Sequence, residues 1–290
     1  MSDRNEIVSR VTAALEGKPA PVAIRNARKV DARGERRGYW VVSDAAGVIV
    51  AAGTGEGAFE HCCRTVGLDP ADRNAVIDAE GRILTPGYVD IHAHGAWEKS
   101  FDDGPDGIDA GAGIMTHMFN AMNGLHHREP GPIPAAVEDP RVTIELINDG
   151  FHVQDPMVSL SFRFAPHRTA FVTDAMAATD CPDGAYKLGA LDVNVVGGHA
   201  RLVSNGAIAG STLLLEVAVR RAVCELGFSP VDAVEAATLT PAKAFGFDRP
   251  NPVTGAPIGL IAPGFAADFN LADPADWTVE QVWCAGRKLK

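Results

Sequence analysis

The chain has 290 residues, 46% hydrophobic and 22% charged, with 26 Lys and Arg against 37 Asp and Glu for a formal charge of −11. This balance suits a globular protein with ample core. It argues against nucleic acid and against an anionic membrane as partners, and no apolar run approaches the ~18 residues that span a bilayer. Residues 1–18 are charged and lack the apolar stretch of a signal peptide. The five cysteines (Cys62, Cys63, Cys181, Cys224 and Cys284) are odd in number and show no Cys-x-x-Cys spacing. A reducing, cytoplasmic setting is the expectation.

Residues 5–15 have helical spacing, with Ile7, Val8, Val11 and Leu15 on one side. From residue 21 the pattern changes to short strand-like runs at 22–24, 39–42, 47–51 and 75–77, punctuated by Asp and Gly, as in a small antiparallel sheet. His61, Cys62 and Cys63 fall in this region and read as structural. Residues 86–95 then run Pro-Gly-Tyr-Val-Asp-Ile-His-Ala-His-Gly. A turn signal precedes a β-prone run that ends in His92 and His94. Two residues apart on a strand, both imidazoles point to one face. Such a pair can hold one divalent metal, or it can be an exposed alternating strand.

Beyond Gly95 the character becomes α/β. Residues 101–113, rich in Asp, Gly and Ala, read as a loop. Strand-like runs at 114–118, 142–147 and 169–173 lead into His117, the Asp149-Gly150-Phe151-His152 tetrad and Asp174. Helical patterns cover 155–165, 211–225 and 230–245. Strands alternating with helices, with titratable residues at the strand ends, point to a (β/α) TIM-type barrel. Strand patterns return at 264–272 and 279–285. The expected plan is a small β-sandwich domain from both termini, 1–85 with 255–290, and a barrel-like catalytic domain over 86–254. That middle segment is well short of the ~250 residues of a complete eight-unit barrel, so the barrel is expected to be incomplete.

Several residues carry chemistry. His117 opens Thr-His-Met-Phe-Asn-Ala-Met, with Arg128-Glu129-Pro130-Gly131 downstream. Arg128 suits bidentate recognition of phosphate or carboxylate, or it pairs with Glu129 at the surface. Asp174, in Thr-Asp-Ala-Met, is a carboxylate at a strand tip, where burial is costly without a partner or a function. Ile208-Ala209-Gly210-Ser211-Thr212 is either a loop with a Ser cap or a close approach of backbone to a ligand.

Together these motifs resemble the N-acetylglucosamine-6-phosphate deacetylases of the amidohydrolase superfamily. The resemblance rests on P-G-Y-V-D-I-H-A-H-G, T-H-M-F-N-A-M with R-E-P-G, D-G-F-H, T-D-A-M and I-A-G-S-T, in that order over nearly the whole chain. It implies a divalent metal, zinc or iron, with His117 as ligand and His92 and His94 at a second position. It implies Asp174 as the catalytic acid and base. Asn120, Ala121, Arg128 and His152 would hold a sugar phosphate, and Ile208, Ala209 and Gly210 would line the sugar site. A cytoplasmic homodimer is implied as well. Two pieces of the family pattern have no counterpart between His94 and Thr116: a ligand Glu in an E-G-P-F context and a ligand His in a G-H-S context. A weakly active or non-catalytic remnant, with about three βα units deleted, is therefore the alternative reading. Another amidohydrolase, such as a cyclic amidase, is a third.

Overall fold

The computed structural model describes residues 9, 12–73, 75–93, 95–96, 99–100 and 113–290. By its contacts the chain forms two compact units: Met1–Val89 with Pro230–Lys290, and Asp90–Ser229. The sequence pattern places the same divisions at 86 and 255. The difference is residues 230–254, whose helices Pro230–Ala237 and Leu239–Ala244 belong to the first unit.

The first unit is built on an eight-stranded sheet drawn from both ends of the chain. Its order runs Arg287–Lys288, Val279–Cys284, Phe269–Ala272, Ile83–Pro86, Ala23–Asp31, Gly34–Ser43 and Ile49–Thr54, with Val76–Asp78 also paired to Ala23–Asp31. Strand alternation gives it two apolar faces. Ile24, Val41, Ile49, Leu84, Phe269, Leu271 and Trp283 form one buried cluster. Their neighbours Ala23, Trp40 and Val42 turn the other way, onto Phe59 and Cys63. Those two residues lie on the helix Glu56–Thr65, so His61 and the Cys62-Cys63 pair sit on a helix rather than in a sheet stretch. Trp40 meets Phe59 edge-on, with 5.8 Å between ring centroids.

The second unit contains a parallel sheet ordered Thr169–Phe171, Thr143–Leu146, Ile114–Met115. Ile144 and Leu146 are fully buried, and Ile144 packs with Met118, Ile133 and Ala165. The helix Asp155–Phe164 follows, with an acidic residue and a proline in its first turn, as helix N-termini favour. An antiparallel meander of Gly184–Leu188, Leu191–Val196 and His199–Leu202 completes the unit. Val193 and Val195 face its core with Met176, Ala178, Ala200 and Ala209. Residues 88–92 form no regular strand; a parallel bridge from Ala93 to Ala175 joins this run to its neighbour. The 211–225 pattern divides into α-helix Leu215–Arg220 and a π-helical turn, Arg221–Glu225. Among the described residues no helix is long and apolar enough to cross a membrane.

Candidate active site

Three backbone segments of the second unit are laced together beside the parallel sheet. The amide of Asp174 donates to the carbonyl of His92 at 2.9 Å, and the amide of Ser211 donates to the carbonyl of Asp174 at 2.7 Å. Asp90 ties the first two segments through its side chain. Its carboxylate accepts the Thr173 hydroxyl and the amides of Thr173 and His92. Burial pushes the Asp90 carboxyl up, against the lowering effect of those hydrogen bonds. The Ser211 hydroxyl donates to the carbonyl of Thr173. Gly210 makes this lacing possible. Its φ is +63°, and a Cβ there would stand 3.2 Å from the Asp174 carbonyl oxygen and 3.3 Å from the Met176 side chain.

The lacing brings His92 and Asp174 together, with His92 Nε2 3.5 Å from Asp174 Oδ1. The His92 ring stacks on His117 at 5.4 Å. On its other side, His92 Nδ1 lies 2.8 Å from Glu145 Oε2. Glu145 also accepts the backbone amide of His117, at 3.3 Å. The sequence reading missed this glutamate, which stands inside the strand Thr143–Leu146. A signal was available: a carboxylate flanked by Ile144 and Leu146 has to be partnered when buried. His94 lies outside the described residues.

The backbone around these groups is strained. Asp174 has φ +53°, and His117, Phe119 and Ala121 have φ of +31°, +78° and +52°. Such values in non-glycine residues cluster at functional sites, where the surrounding structure holds them. His117 Nδ1 is buried and has no hydrogen-bond partner among the described residues. The imidazoles of His92 and His117 and the carboxylates of Asp174 and Glu145 are nitrogen and oxygen donors of the kind that zinc and iron take.

The other expected residues are placed as follows. The Asn120 amide donates to the carbonyls of Met118 and, at the limit of hydrogen-bond length, His117. Ala121 and Arg128 are exposed. His152 is almost wholly buried; its Nδ1 is 2.6 Å from Asp149 Oδ2. Asp149 also accepts the amides of Phe151 and His152, both at 2.8 Å. Burial raises the Asp149 carboxyl, but the His152 hydrogen bond and charge, with these amides, outweigh it and hold the group below its ordinary value. Phe151 stacks on His199 at 4.0 Å. Ile208 is partly exposed, and Ala209 is buried in the meander core. The structure thus joins His92, His117, Asp174 and the Gly210 turn in one cluster. Asn120 reaches this cluster only through the backbone carbonyl of His117, and among the described residues Arg128 and His152 take no part in the contacts that join it.

Residues 167–289 match the amidohydrolase family. The chain is 40% identical over 171 residues to the putative N-acetylgalactosamine-6-phosphate deacetylase of Escherichia coli K12, covering 59% of this chain and 97% of that protein. This chain belongs to the amino-sugar-6-phosphate deacetylase family of amidohydrolases. A longer member, the N-acetylgalactosamine-6-phosphate deacetylase of Escherichia coli O157:H7, is 36% identical over 231 residues, 79% of this chain and 57% of that protein. The chain therefore spans little more than half the length of that relative. A solved deacetylase structure is also similar: a mutant of the Mycobacterium smegmatis N-acetyl-D-glucosamine-6-phosphate deacetylase in complex with N-acetyl-D-glucosamine 6-phosphate. It superposes with a TM-score of 0.74 at 25% identity, over 94% of this chain and 100% of that one. The amidohydrolase α/β fold expected from the motifs is thereby shown.

Proposed function

We propose that this deacetylase-family chain is a metal-dependent hydrolase that removes the acetyl group from N-acetylglucosamine 6-phosphate, giving glucosamine 6-phosphate and acetate. Its galacto epimer is the second substrate to test, because the relatives named above include N-acetylgalactosamine-6-phosphate deacetylases. The observation that carries the reading is the cluster of His92, His117 and Asp174, with the His117 Nδ1 lacking a partner among the described residues. The architecture that goes with it is an incomplete (β/α) barrel and a β-sandwich domain formed by 1–85 and 255–290.

In this reading His117 and His92, with His94, hold the metal. When bound, the metal polarises the acetamide carbonyl and makes a water acidic. Asp174 takes a proton from the attacking water and returns one to the departing amine. Gly210, between Ile208-Ala209 and Ser211, keeps the Asp174 segment against its neighbour and lines the sugar side. Arg128 supplies a cation for the phosphate, with Asn120, Ala121 and His152 on the same ligand. Arg128→Ala should then raise KM for the phosphorylated sugar about tenfold, the scale of one charge-assisted hydrogen bond, with kcat little changed. Initial rates over a range of substrate concentrations measure this, and an unchanged KM removes Arg128 from the site. The partner is a small sugar phosphate, the setting a cytoplasmic homodimer.

One observation favours a second reading. The family's Glu in E-G-P-F and His in G-H-S are not in this sequence. The chain would then be a remnant that binds metal weakly and turns over slowly or not at all. Metal content measured together with acetate release separates the two.

A further inference from the structure

Glu145 stands in the middle strand of the parallel sheet, registered against Ala170. Alternation sends Ile144 and Leu146 to one face, where both are fully buried, and Glu145 to the other. Its side chain is only 5% exposed, so its carboxylate needs partners. It finds two, on separate segments: His92 Nδ1 at 2.8 Å and the His117 amide at 3.3 Å, both at Oε2. Its carbonyl accepts the Met118 amide at 2.8 Å. One residue thus grips the turn that carries His117 and the ring of His92 together. The opposite nitrogen of that ring, Nε2, is the one facing Asp174, at 3.5 Å.

We propose that Glu145 is the positioning residue of this site. It accepts the Nδ1 hydrogen of His92, fixes that tautomer, and leaves the Nε2 lone pair directed to the Asp174 side, where a ligand nitrogen is needed. A ring nitrogen held by a carboxylate in this way orients the imidazole and makes the opposite nitrogen a better donor. The metal arm of this inference rests on the reading given above; the tautomer arm does not.

The test uses the full chain, 15N-labelled and metal-free, at about pH 8, above the ordinary histidine range. Long-range proton–nitrogen correlation spectra, assigned by their loss in His92→Asn, report the two ring nitrogens. A pyrrole-type Nδ1 and a pyridine-type Nε2 are expected. Glu145→Ala should shift the ring towards the other tautomer, and Glu145→Gln, whose carbonyl accepts the same bond, should keep it. Titration with Zn(II) should show binding weakened about 10- to 100-fold in the Ala variant and largely retained in the Gln variant. A pyridine-type Nδ1 or a doubly protonated ring in the unmodified chain overturns the proposal, as do equal Zn(II) affinities in all three proteins. The spectrum of the unmodified chain decides alone if the Ala variant does not fold. If the unmodified chain binds no Zn(II), the metal reading fails while the tautomer result still stands or falls by itself.

Discussion

Asp174 sits in a left-handed backbone conformation, φ +53°, with its carboxylate beside His92 Nε2. If it moves the proton, Asp174→Asn should lower kcat by at least about a hundredfold, the scale of general acid–base catalysis. Affinity for the sugar phosphate, measured calorimetrically, should persist; equal kcat in the variant would remove Asp174 from the chemistry. Asp149 makes a separate claim on pH. Its folded pKa lies below the ordinary value, so its contribution to stability is complete above about pH 4 and is lost as pH falls through the lower folded value. Urea unfolding at stepped acid pH should show Asp149→Asn losing less stability than the unmodified chain below that point. Parallel acid limbs in the two proteins would contradict this. At this scale the sequence displayed His92, His117 and Asp174 because each ends a recognisable run. Glu145 stayed hidden because its role depends on a residue 53 positions away in sequence, and strand periodicity cannot show which segment will face it.

At the scale of elements, the turn through Gly210 is the tightest constraint. A side chain there must adopt φ +63° and find room 3.2 Å from the Asp174 carbonyl oxygen. Gly210→Ala should cost about 1–3 kcal/mol, the range for a strained backbone position, read as a lower urea midpoint. An unchanged midpoint would mean that the 209–211 segment moves freely. The strands Thr143–Leu146, Thr169–Phe171 and Val279–Cys284 and the helix Asp155–Phe164 were legible from β-rich runs and helical spacing. The helix Glu56–Thr65 was not. Gly55 and Gly57 bracket its start, and its His-Cys-Cys stretch has weak helix propensity. The meander Gly184–Leu202 was missed as well, although Val193 and Val195 alternate inward against Asp192, Asn194 and Val196. Its glycine turns broke the run into pieces too short to stand out. The 230–245 pattern reads as one helix but divides at Thr238, whose φ and ψ of −133° and −82° leave the helical region.

For the whole molecule, the sheet of the first unit pairs Phe269–Ala272 with Ile83–Pro86, from opposite ends of the chain. The parallel pairing of the second unit, among its described residues, consists of three short strands and two bridges. That is consistent with the incomplete barrel proposed here, since each absent βα unit removes a strand that would have paired on both sides. On that proposal, the two ligand motifs without a counterpart between His94 and Thr116 go with the missing units, and the cluster in which Asp174 stands beside His92 retains slow, metal-dependent deacetylation. The most direct measurement is acetate release from N-acetylglucosamine 6-phosphate and its galacto epimer by the purified full chain. It is made with and without added Zn(II) or Fe(II), beside an intact family member and the Asp174→Asn variant. The expected result is turnover that needs the added metal, runs at least about a hundredfold below the intact enzyme, and vanishes in the variant. Turnover that is the same with and without Asp174, or no release above the buffer rate at saturating metal, would contradict it.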